Sequence, residues 1–314
     1  MRVLVAGASG ALGVPLTRQL LAAGHEVIGL SRTPANRDKL LTLGTEPVIA
    51  DAMDRAALLR AVDGLKADAV THQLTALKKP PMRHSGMATT DALRKEGTAN
   101  LLAAARVVGA RRFVTQSMIF GYGYGDWGDK VLTEDDQFAP PGRGRFEQHL
   151  AAMRSAEHQT FTTRGIEGIA LRYGLLYGPH AGTEEMVEML RRRRFPIPHD
   201  GGGILSWIYI EDAAAATVAA LQRGRPGQAY NIVDDEPVSW RGFTRALAEA
   251  FGTPRPLTIP GWMLRPFAPY IAAMLMSTLR VSNAKAKREL LWTPSAPTYR
   301  DGIWRMIASL RHVA

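Results

Sequence analysis

The sequence predicts an α/β fold in which helices cover both faces of a doubly wound parallel sheet. Three observations predict it. The chain has 314 residues, of which 46% are hydrophobic, and this is enough for a large buried core. Short apolar runs alternate with helical segments, an order typical of parallel sheets. A glycine-rich loop joins the first apolar run to the first helical segment.

The alternation is regular in the first part of the chain. Apolar runs predict strands at residues 2–6, 27–30, 47–50, 68–71, 112–116 and 168–173. Helical patterns lie between them at residues 11–23, 36–43, 55–62, 93–108 and 147–160. Gly24 provides a stop for the first helix. Residues 121–144 are rich in Gly, Pro and Asp, which predicts a long loop beside the site.

The second part of the chain is less regular. Its patterns predict helices at 183–194, 211–223, 239–251 and 261–279, and strands at 206–210 and 229–232. We therefore expect residues 1–178 to form the nucleotide-binding core. Residues 179–314 are expected to form mainly a smaller substrate-binding region, with returning elements that complete the sheet.

The glycine loop points to a dinucleotide. Gly7, Gly10 and Gly13 have the spacing GxxGxxG between a strand and a helix, with Ser9, Ala11 and Leu12 filling the loop. Glycines permit a tight turn and close approach of the backbone to phosphate, and the N–H groups that begin the helix attract its charge. This context predicts a Rossmann domain whose loop binds the pyrophosphate.

Two further strand ends indicate which dinucleotide is bound. The second strand ends in Ser31 and Arg32, where an acidic residue would favour NAD(H), so the sequence favours NADP(H). Asp51 and Ala52 follow the third strand, and the Asp51 carboxylate can accept a hydrogen bond from the adenine amino group. The alternative is that Asp51 caps the following helix, a role for which Asp54 competes.

Five segments together resemble one family, the extended short-chain dehydrogenase/reductases, which include epimerases and dehydratases acting on sugar nucleotides as well as ketone reductases. Besides the glycine loop they are residues 96–102 (EGTANLL), 113–117 (FVTQS), 171–179 (LRYGLLYGP) and 206–214 (SWIYIEDAA), the last followed by 230–232 (YNI). The resemblance covers nearly the whole chain. It implies further cofactor contacts, at Leu74, Thr75, Gln116, Tyr173, Gly174 and Leu175.

The chain departs from the family at the catalytic residues. Members usually carry a Tyr-x-x-x-Lys pair on the helix after strand five, and the matching positions here are His149 and Met153. The helper Asn of the family falls near Arg94. Ser117 matches the family Ser, with a register uncertain by one residue against Gln116.

The sequence therefore leaves several candidates for the proton donor. The candidates are Ser117 with a water molecule, His149, whose imidazole titrates near neutrality, and, if the alignment is displaced, one of several tyrosines. The alternative for His149 is an exposed helix histidine. These tyrosines are Tyr122, Tyr124, Tyr173 and Tyr177, of which Tyr122 and Tyr177 come first. His72, at the end of strand four, is expected either near the nicotinamide ribose or packed in the core.

The resemblance implies NADPH-dependent reduction of a ketone or related carbonyl in a sizeable, partly apolar molecule. A sugar-nucleotide epimerase or dehydratase and a non-catalytic NADP(H) sensor are the alternatives. The second part of the chain carries methionine and aromatic side chains, which could line a pocket for a partly apolar substrate or simply pack in the core. They are Met186, Met189, Phe195, Trp207, Trp262, Met263, Phe267, Met274 and Met276.

The composition of the chain argues against several other kinds of site and partner. The absence of cysteine excludes disulfides and thiolate sites and fits a cytoplasmic protein. The net charge is +10, but the one dense basic run, residues 191–194, has no interleaved aromatic residues, so we expect a solvated helix end and no nucleic-acid partner. We expect no metal site, no membrane span and no Ser-His-Asp nucleophile; a homodimer is a possible assembly.

Overall fold

The computed structural model describes residues 1–77, 81–142, 144–264 and 266–311. In its first part, strands and helices alternate as predicted. The elements are β1 (Arg2–Ala6), α1 (Gly13–Ala22), β2 (Glu26–Ser31), α2 (Arg37–Thr42), β3 (Glu46–Ile49), α3 (Arg55–Val62), β4 (Ala69–His72), α4 (Ala88–Ala92), α5 (Thr98–Val107) and β5 (Arg112–Met118). A π-helical turn, Leu93–Gly97, joins α4 to α5.

The rest of the chain adds shorter strands and further helices. They are β6 (Asp126–Leu132), α6 (Glu147–Thr162), β7 (Glu167–Tyr173), β8 (Leu175–Tyr177), α7 (Thr183–Arg191), β9 (Ile197–Pro198), β10 (Ile204–Leu205), β11 (Trp207–Tyr209), α8 (Ile210–Arg223), β12 (Gln228–Ile232), β13 (Val238–Ser239), α9 (Trp240–Phe251), β14 (Thr258–Ile259), α10 (Pro269–Met276), β15 (Thr278–Val281), α11 (Ala284–Leu290) and α12 (Tyr299–Arg311).

The central sheet has seven strands in the order β12-β7-β5-β4-β1-β2-β3, and every pairing is parallel. The chain runs outward from β1 to β3 and then returns to β4 on the other side of β1. The predicted doubly wound Rossmann sheet is therefore confirmed. Its direction of winding reverses between β1 and β4, where such sheets bind ligands beyond the carboxyl ends of the strands.

Separate apolar layers bury the two faces of this sheet. On one face, α1 and α8 contribute Leu16 and Ala216 to a cluster with Leu171 of β7. On the other face, Leu58 of α3 and Leu101 of α5 pack in a common cluster. Burial at this scale is the main source of stability, so the strand ends that carry the site rest on a rigid base.

A third apolar cluster lies under the C-terminal elements. Trp207 of β11 stacks on Phe243 of α9, with ring centroids 3.7 Å apart. Trp207 is thus a core residue, whereas Trp262 and Phe267 are 70% and 75% exposed. α7 ends at Arg191 and residues 191–194 are exposed, which confirms the solvated helix end. No helix within the described residues is both long and apolar enough to cross a membrane.

The structure corrects two predicted elements. The predicted loop 121–144 contains a strand, β6, which pairs with the distant β15 in a second sheet of order β13-β10-β15-β6. The predicted helix 261–279 is wrong as one element: it comprises a 3₁₀ turn at Gly261–Met263, the short α10 and the start of β15. Residue 265, inside that range, lies outside the described residues. The strands β6 and β15 were missed because pairing between distant segments leaves little local signal, and α10 begins only at Pro269, since proline is tolerated in the first turn of a helix but not in its interior.

Candidate functional site

The glycine loop joins β1 to α1 at the point where the sheet reverses its winding. Gly7 has a φ of +97°, which L side chains rarely adopt, and a Cβ there would lie 3.0 Å from the carbonyl oxygen of Gln73. A Cβ on Gly13 would lie 1.9 Å from the carbonyl oxygen of Gly7. The first turn of α1 therefore packs directly on the loop backbone, and only glycine fits there.

The start of α1 is open to an anion. Leu12 occupies the N-cap position without a side-chain hydrogen bond, and the first turn contains no acidic residue. Uncapped N–H groups at a helix start, together with the helix dipole, favour a phosphate group. Ser9, Gly10 and Ala11 belong to the same loop, so residues 7–13 fit the pyrophosphate of a dinucleotide.

A polar cluster lies at the carboxyl end of β2. The side-chain amide of Asn36 donates to Oγ of Ser31 at 2.9 Å and to Oγ of Ser9 at 3.1 Å. The ammonium group of Lys39 donates to the backbone carbonyl of Ser9 at 2.9 Å. Arg32 is exposed next to Ser31. This strand end thus places two cations near two hydroxyl groups, where we expect the 2′-phosphate of NADP(H).

Arg32→Ala is expected to reduce the preference for NADPH over NADH by about 1–3 kcal/mol, the size of a charge-assisted contact. Lys39→Ala should act in the same direction, since both cations flank the same hydroxyl groups. Arg18→Ala, which removes an exposed cation from α1, is the matched control and should leave the preference unchanged. Calorimetric titration with NADPH and with NADH measures this preference. Equal affinities of the unaltered protein for both would contradict a 2′-phosphate site at these cations.

Asp51 lies beyond β3 and does not cap the next helix. Asp54 caps α3 by accepting the N–H of Ala57 at 2.9 Å, so the alternative role of Asp51 as the cap is wrong. One carboxylate oxygen of Asp51 accepts the N–H of Met53 at 2.9 Å. The carbonyl of the buried Ala52 accepts from Asn100 at 2.8 Å, which fixes the backbone at this strand end.

The ends of β4 and β5 are joined by hydrogen bonds beside the glycine loop. The side-chain amide of Gln116 donates to the carbonyl of Leu74, and the N–H of Leu74 donates to Nδ1 of His72 at 3.2 Å. A Cβ on Gly7 would lie 3.4 Å from the Leu74 side chain. The Thr75 hydroxyl lies 3.5 Å from that of Thr90. These predicted cofactor residues therefore line one edge together with the loop.

His72 packs in the core, and its titration should make the fold acid-sensitive. Burial lowers the pKa of His72 from 6.5 to about 4. The unfolded chain therefore takes up the proton first, so stability is fully present above about pH 6.5 and falls as the pH drops toward about 4. The loss should reach about 3 kcal/mol.

His72→Asn keeps hydrogen-bonding groups but does not titrate, so its stability should fall less over this range of pH. Urea unfolding at about pH 7 and about pH 4.5 measures the difference. Equal pH dependence of the variant and the unaltered protein would contradict the role of His72.

The chain turns from β7 into β8 at Gly174. A Cβ there would lie 2.7 Å from the carbonyl of Ser206, and the N–H of Leu175 donates to the same carbonyl at 3.1 Å. The hydroxyl of Tyr173 is 2.7 Å from that of Thr217 on α8. Burial raises the pKa of Tyr173 above its ordinary range. Its hydroxyl is thus held on the α8 face of the sheet.

Three buried polar side chains form a line where α4 meets α6. Nδ1 of His149 is 2.5 Å from Oδ2 of Asp91, and Nε2 of His149 is 3.0 Å from Nδ1 of His84. His149 is 0% exposed, so its interpretation as an exposed helix histidine is wrong. Asp91 also pairs with Arg94 at 3.5 Å. We call Asp91, His149 and His84 the His–Asp chain.

The His–Asp chain is linear and does not converge on a point. Each ring nitrogen of His149 faces a protein atom, and the planes of the two histidine rings are parallel to within 3°. Within the described residues, no group of three His, Cys, Asp or Glu side chains is arranged to hold a metal ion. The geometry instead suits the passage of a proton along hydrogen bonds.

Three aromatic side chains, Phe146, Tyr270 and Tyr124, pack around the rings of His84 and His149, and we call them the aromatic enclosure. Phe146 meets the His84 ring edge-on at 4.6 Å and lies 4.3 Å from Tyr124. Tyr270 of α10 meets the His84 ring at 5.7 Å, and its hydroxyl is 3.0 Å from that of Tyr124. An open groove of about 370 Å³, lined by residues 122–127 and Pro140, adjoins Tyr124.

Two other predicted donors, Tyr122 and Tyr177, lie apart from the His–Asp chain. The Tyr122 hydroxyl donates to Asn231 at 2.8 Å and accepts from Arg172 at 2.9 Å, while burial raises its pKa to about 12. The Tyr177 hydroxyl donates to the carbonyl of Thr298 at 3.4 Å, under the C-terminal helices. Burial raises the pKa of Tyr177 as well.

Ser117 and Met153 complete the predicted set. Ser117 is buried near the end of β5, and its Oγ has no partner among the described residues. Met153 follows His149 by one helical turn and lies in the apolar core, 1% exposed. No titrating side chain therefore stands where the family Lys would.

Sequence reasoning missed Asn36, Lys39, Asp91 and His84. Asp91 had a detectable signal, since it lies three residues before Arg94 and therefore on the same helical face. His84 lies in a connecting segment without periodicity, so nothing local linked it to His149. In the sequence, Asn36 is an ordinary polar residue at the start of a helix, and Lys39 is an ordinary residue of its polar face. Only the packing of α2 against β2 brings them to the glycine loop.

Comparisons with known proteins agree with this architecture. The model of the NAD dependent epimerase/dehydratase family matches residues 3–233. The crystal structure of the UDP-glucose 4-epimerase of Thermus thermophilus, in complex with NAD, superposes with a TM-score of 0.79. It is 24% identical and covers 100% of both chains.

Two similar proteins of known name are reductases. A Streptomyces 3-diazoavenalumate denitrifying reductase is 36% identical over 97% of this chain and 100% of its own length. The 2-alkyl-3-oxoalkanoate reductase of Stenotrophomonas maltophilia (strain K279a) is 29% identical over 81% of this chain and 77% of its own.

Proposed function

The chain belongs to the NAD dependent epimerase/dehydratase family, and from that premise we propose that it is an NADPH-dependent reductase of a ketone or related carbonyl. The substrate is a sizeable, partly apolar molecule. The named reductases among its relatives support hydride transfer as the reaction type.

The residues at the strand ends fit the cofactor. The glycine loop and the start of α1 would hold the pyrophosphate, and the cations at Arg32 and Lys39 would select the 2′-phosphate. Asp51 would accept from the adenine amino group. Bound NADPH supplies a hydride, and the side chains of this protein orient the substrate and donate a proton to its carbonyl oxygen.

One observation carries the proposal: a His–Asp chain ends inside an aromatic enclosure. A carbonyl oxygen gains negative charge as its carbon accepts hydride, so it needs a nearby proton donor. Aromatic walls exclude water, strengthen that interaction and suit a planar, apolar substrate. Residues 1–178 supply the His–Asp chain, and residues 179–314 supply Tyr270.

A specific observation favours a second candidate, reductive removal of a diazo group from an aromatic ring. The relative that is 36% identical along almost all of both chains is named a 3-diazoavenalumate denitrifying reductase. Hydride addition to the ring carbon of an arenediazonium ion forms a C–H bond while the C–N bond breaks and dinitrogen leaves with its electron pair. This reaction consumes no proton, which agrees with the lack of a Tyr-x-x-x-Lys pair.

Cofactor turnover with three probes separates the candidate functions. An aryl methyl ketone should be reduced to its alcohol with one NADPH oxidised per product. A carboxybenzenediazonium salt should lose dinitrogen with the same stoichiometry if the second candidate holds. With UDP-glucose, an epimerase would form product without net cofactor oxidation, and a sensor would bind NADPH without turnover of any probe. Absence of NADPH oxidation with both reducible probes, above the rate without enzyme, would contradict the reductase function.

A further inference from the structure

We propose that His84, rather than His149, is the catalytic residue that gives the proton to the substrate, with Asp91 and His149 as positioning residues behind it. This assignment rests on the carbonyl reduction proposed above. The register of α6 points to His149 as the proton donor, whereas this assignment gives that role to His84, which precedes α4.

His149 has no ring nitrogen left for a substrate. Its Nδ1 is bound to Asp91 at 2.5 Å and its Nε2 to His84 at 3.0 Å. It is also 0% exposed. A general acid must come within hydrogen-bond reach of the atom that it protonates. His149 meets that requirement only if it gives up one of these partners.

The hydrogen bonds also fix the direction of the chain. A carboxylate only accepts, so the proton between Asp91 and His149 is on Nδ1 of His149. In a neutral imidazole with Nδ1 protonated, Nε2 accepts, so the proton between the two rings is on Nδ1 of His84. The remaining nitrogen, Nε2 of His84, has no partner among the described residues. It is the outward end of the chain.

The surroundings of His84 suit a substrate-facing group. Phe146 and Tyr270 flank its ring, and the N–H of Tyr270 donates to the carbonyl of Met82 at 3.2 Å, which ties this segment to α10. His84 is 8% exposed, whereas His149 is fully buried, so His84 is the more accessible of the two histidines.

The neighbouring hydroxyl groups are poorer acids. Tyr124 and Tyr270 are hydrogen-bonded to each other, and burial raises the pKa of both. By contrast, burial and the nearby Arg145 lower the pKa of His84, which makes its protonated form readier to donate. The groups facing His84 are thus His149 and Arg145 around the start of α6 and Tyr270 on α10.

The proposed step balances in atoms and charge. The carbonyl carbon would gain a C–H bond from the hydride that NADPH supplies when bound, with loss of the C4–H bond and formation of NADP⁺, and the C=O π pair would move to oxygen. Oxygen forms an O–H bond as the Nε2–H bond of protonated His84 breaks. His84 is left neutral, with Nδ1–H still donated to His149, and water restores the Nε2 proton.

Two measurements on the whole protein test the assignment. In nitrogen NMR of ¹⁵N-histidine-labelled protein, we expect His149 protonated at Nδ1 and a pH-dependent Nε2 at His84. In kinetics with NADPH and an aryl methyl ketone, His84→Gln should lower kcat by about 10²–10⁴-fold, remove the acidic group from the pH profile and leave the Kd for NADPH unchanged. His149→Gln can still accept from His84, so its loss should be smaller.

The outcomes are distinguishable. A larger loss in His149→Gln than in His84→Gln, or a spectrum in which His84 is protonated only at Nε2 and hydrogen-bonded through it to His149, would overturn the assignment. Lack of ketone reduction by the unaltered protein would instead show that the proposed function is wrong. In that case the spectrum still reports whether Nε2 of His84 is the free end of the chain.

Discussion

Replacing Gly13 by Ala is expected to weaken NADPH binding by at least about 100-fold, or about 2.7 kcal/mol. The added Cβ would lie 1.9 Å from the carbonyl oxygen of Gly7 and 2.8 Å from backbone atoms of Ala8. Backbone cannot move aside as a flexible side chain can, so the loop must shift away from α1. The N–H groups that would hold the pyrophosphate then lose their common alignment. Calorimetric titration with NADPH measures the effect.

Gly10→Ala adds the same methyl group at a less crowded position of the same loop. Its Cβ would lie 3.1 Å from the same Gly7 oxygen, a contact that a displacement of a few tenths of an ångström relieves. We expect a loss of about tenfold or less, and cooperative thermal unfolding of both variants. NADPH binding by Gly13→Ala with the affinity of the unaltered protein would show that the loop does not hold the pyrophosphate.

Asp91→Asn should lower the rate of ketone reduction by about 10²–10⁴-fold without changing NADPH affinity. An amide offers either an oxygen or an NH₂ group to Nδ1 of His149, so it no longer fixes the direction of the His–Asp chain. It also removes the negative charge that faces Nδ1 of His149. Steady-state kinetics and calorimetry together separate the loss of rate from a loss of binding.

Asp54→Asn makes the same chemical change at a residue that only caps α3, and it should retain the native rate. If Asp91→Asn reduces the ketone as fast as the unaltered protein, the His–Asp chain does not serve the reaction. Equal losses in both variants would likewise contradict the role of Asp91, since charge neutralisation anywhere would then suffice.

The fold of the first part of the chain was predictable because its signals are local. Each strand of the central sheet is a short apolar run bounded by turn residues, and the three loop glycines meet steric demands within one turn. β6 and β15 escaped prediction because each is stabilised by the other across the chain. Residues 126–132 carry Gly and Asp, which read as a loop without that partner.

The candidate site likewise contains residues that the sequence could predict and residues that it could not. Arg32 and the glycine loop follow from their places beside a strand, whereas the contact of Lys39 with Ser9 depends on how α2 packs. His149 could be found from its helix register. Its partners could not, since Asp91 and His84 precede it by 58 and 65 residues and meet it only through the packing of α4 and α6.

Deuterium transfer from NADPH labelled at C4 of the nicotinamide tests the central claim most directly. The protein is incubated with the aryl methyl ketone and each of the two C4-deuterated forms, and the product is analysed by mass spectrometry against a reaction without enzyme. We expect one deuterium on the former carbonyl carbon from only one of the two forms, with one NADP⁺ formed per alcohol. Alcohol without deuterium from either form, or NADPH left unoxidised in the presence of the ketone, would contradict it.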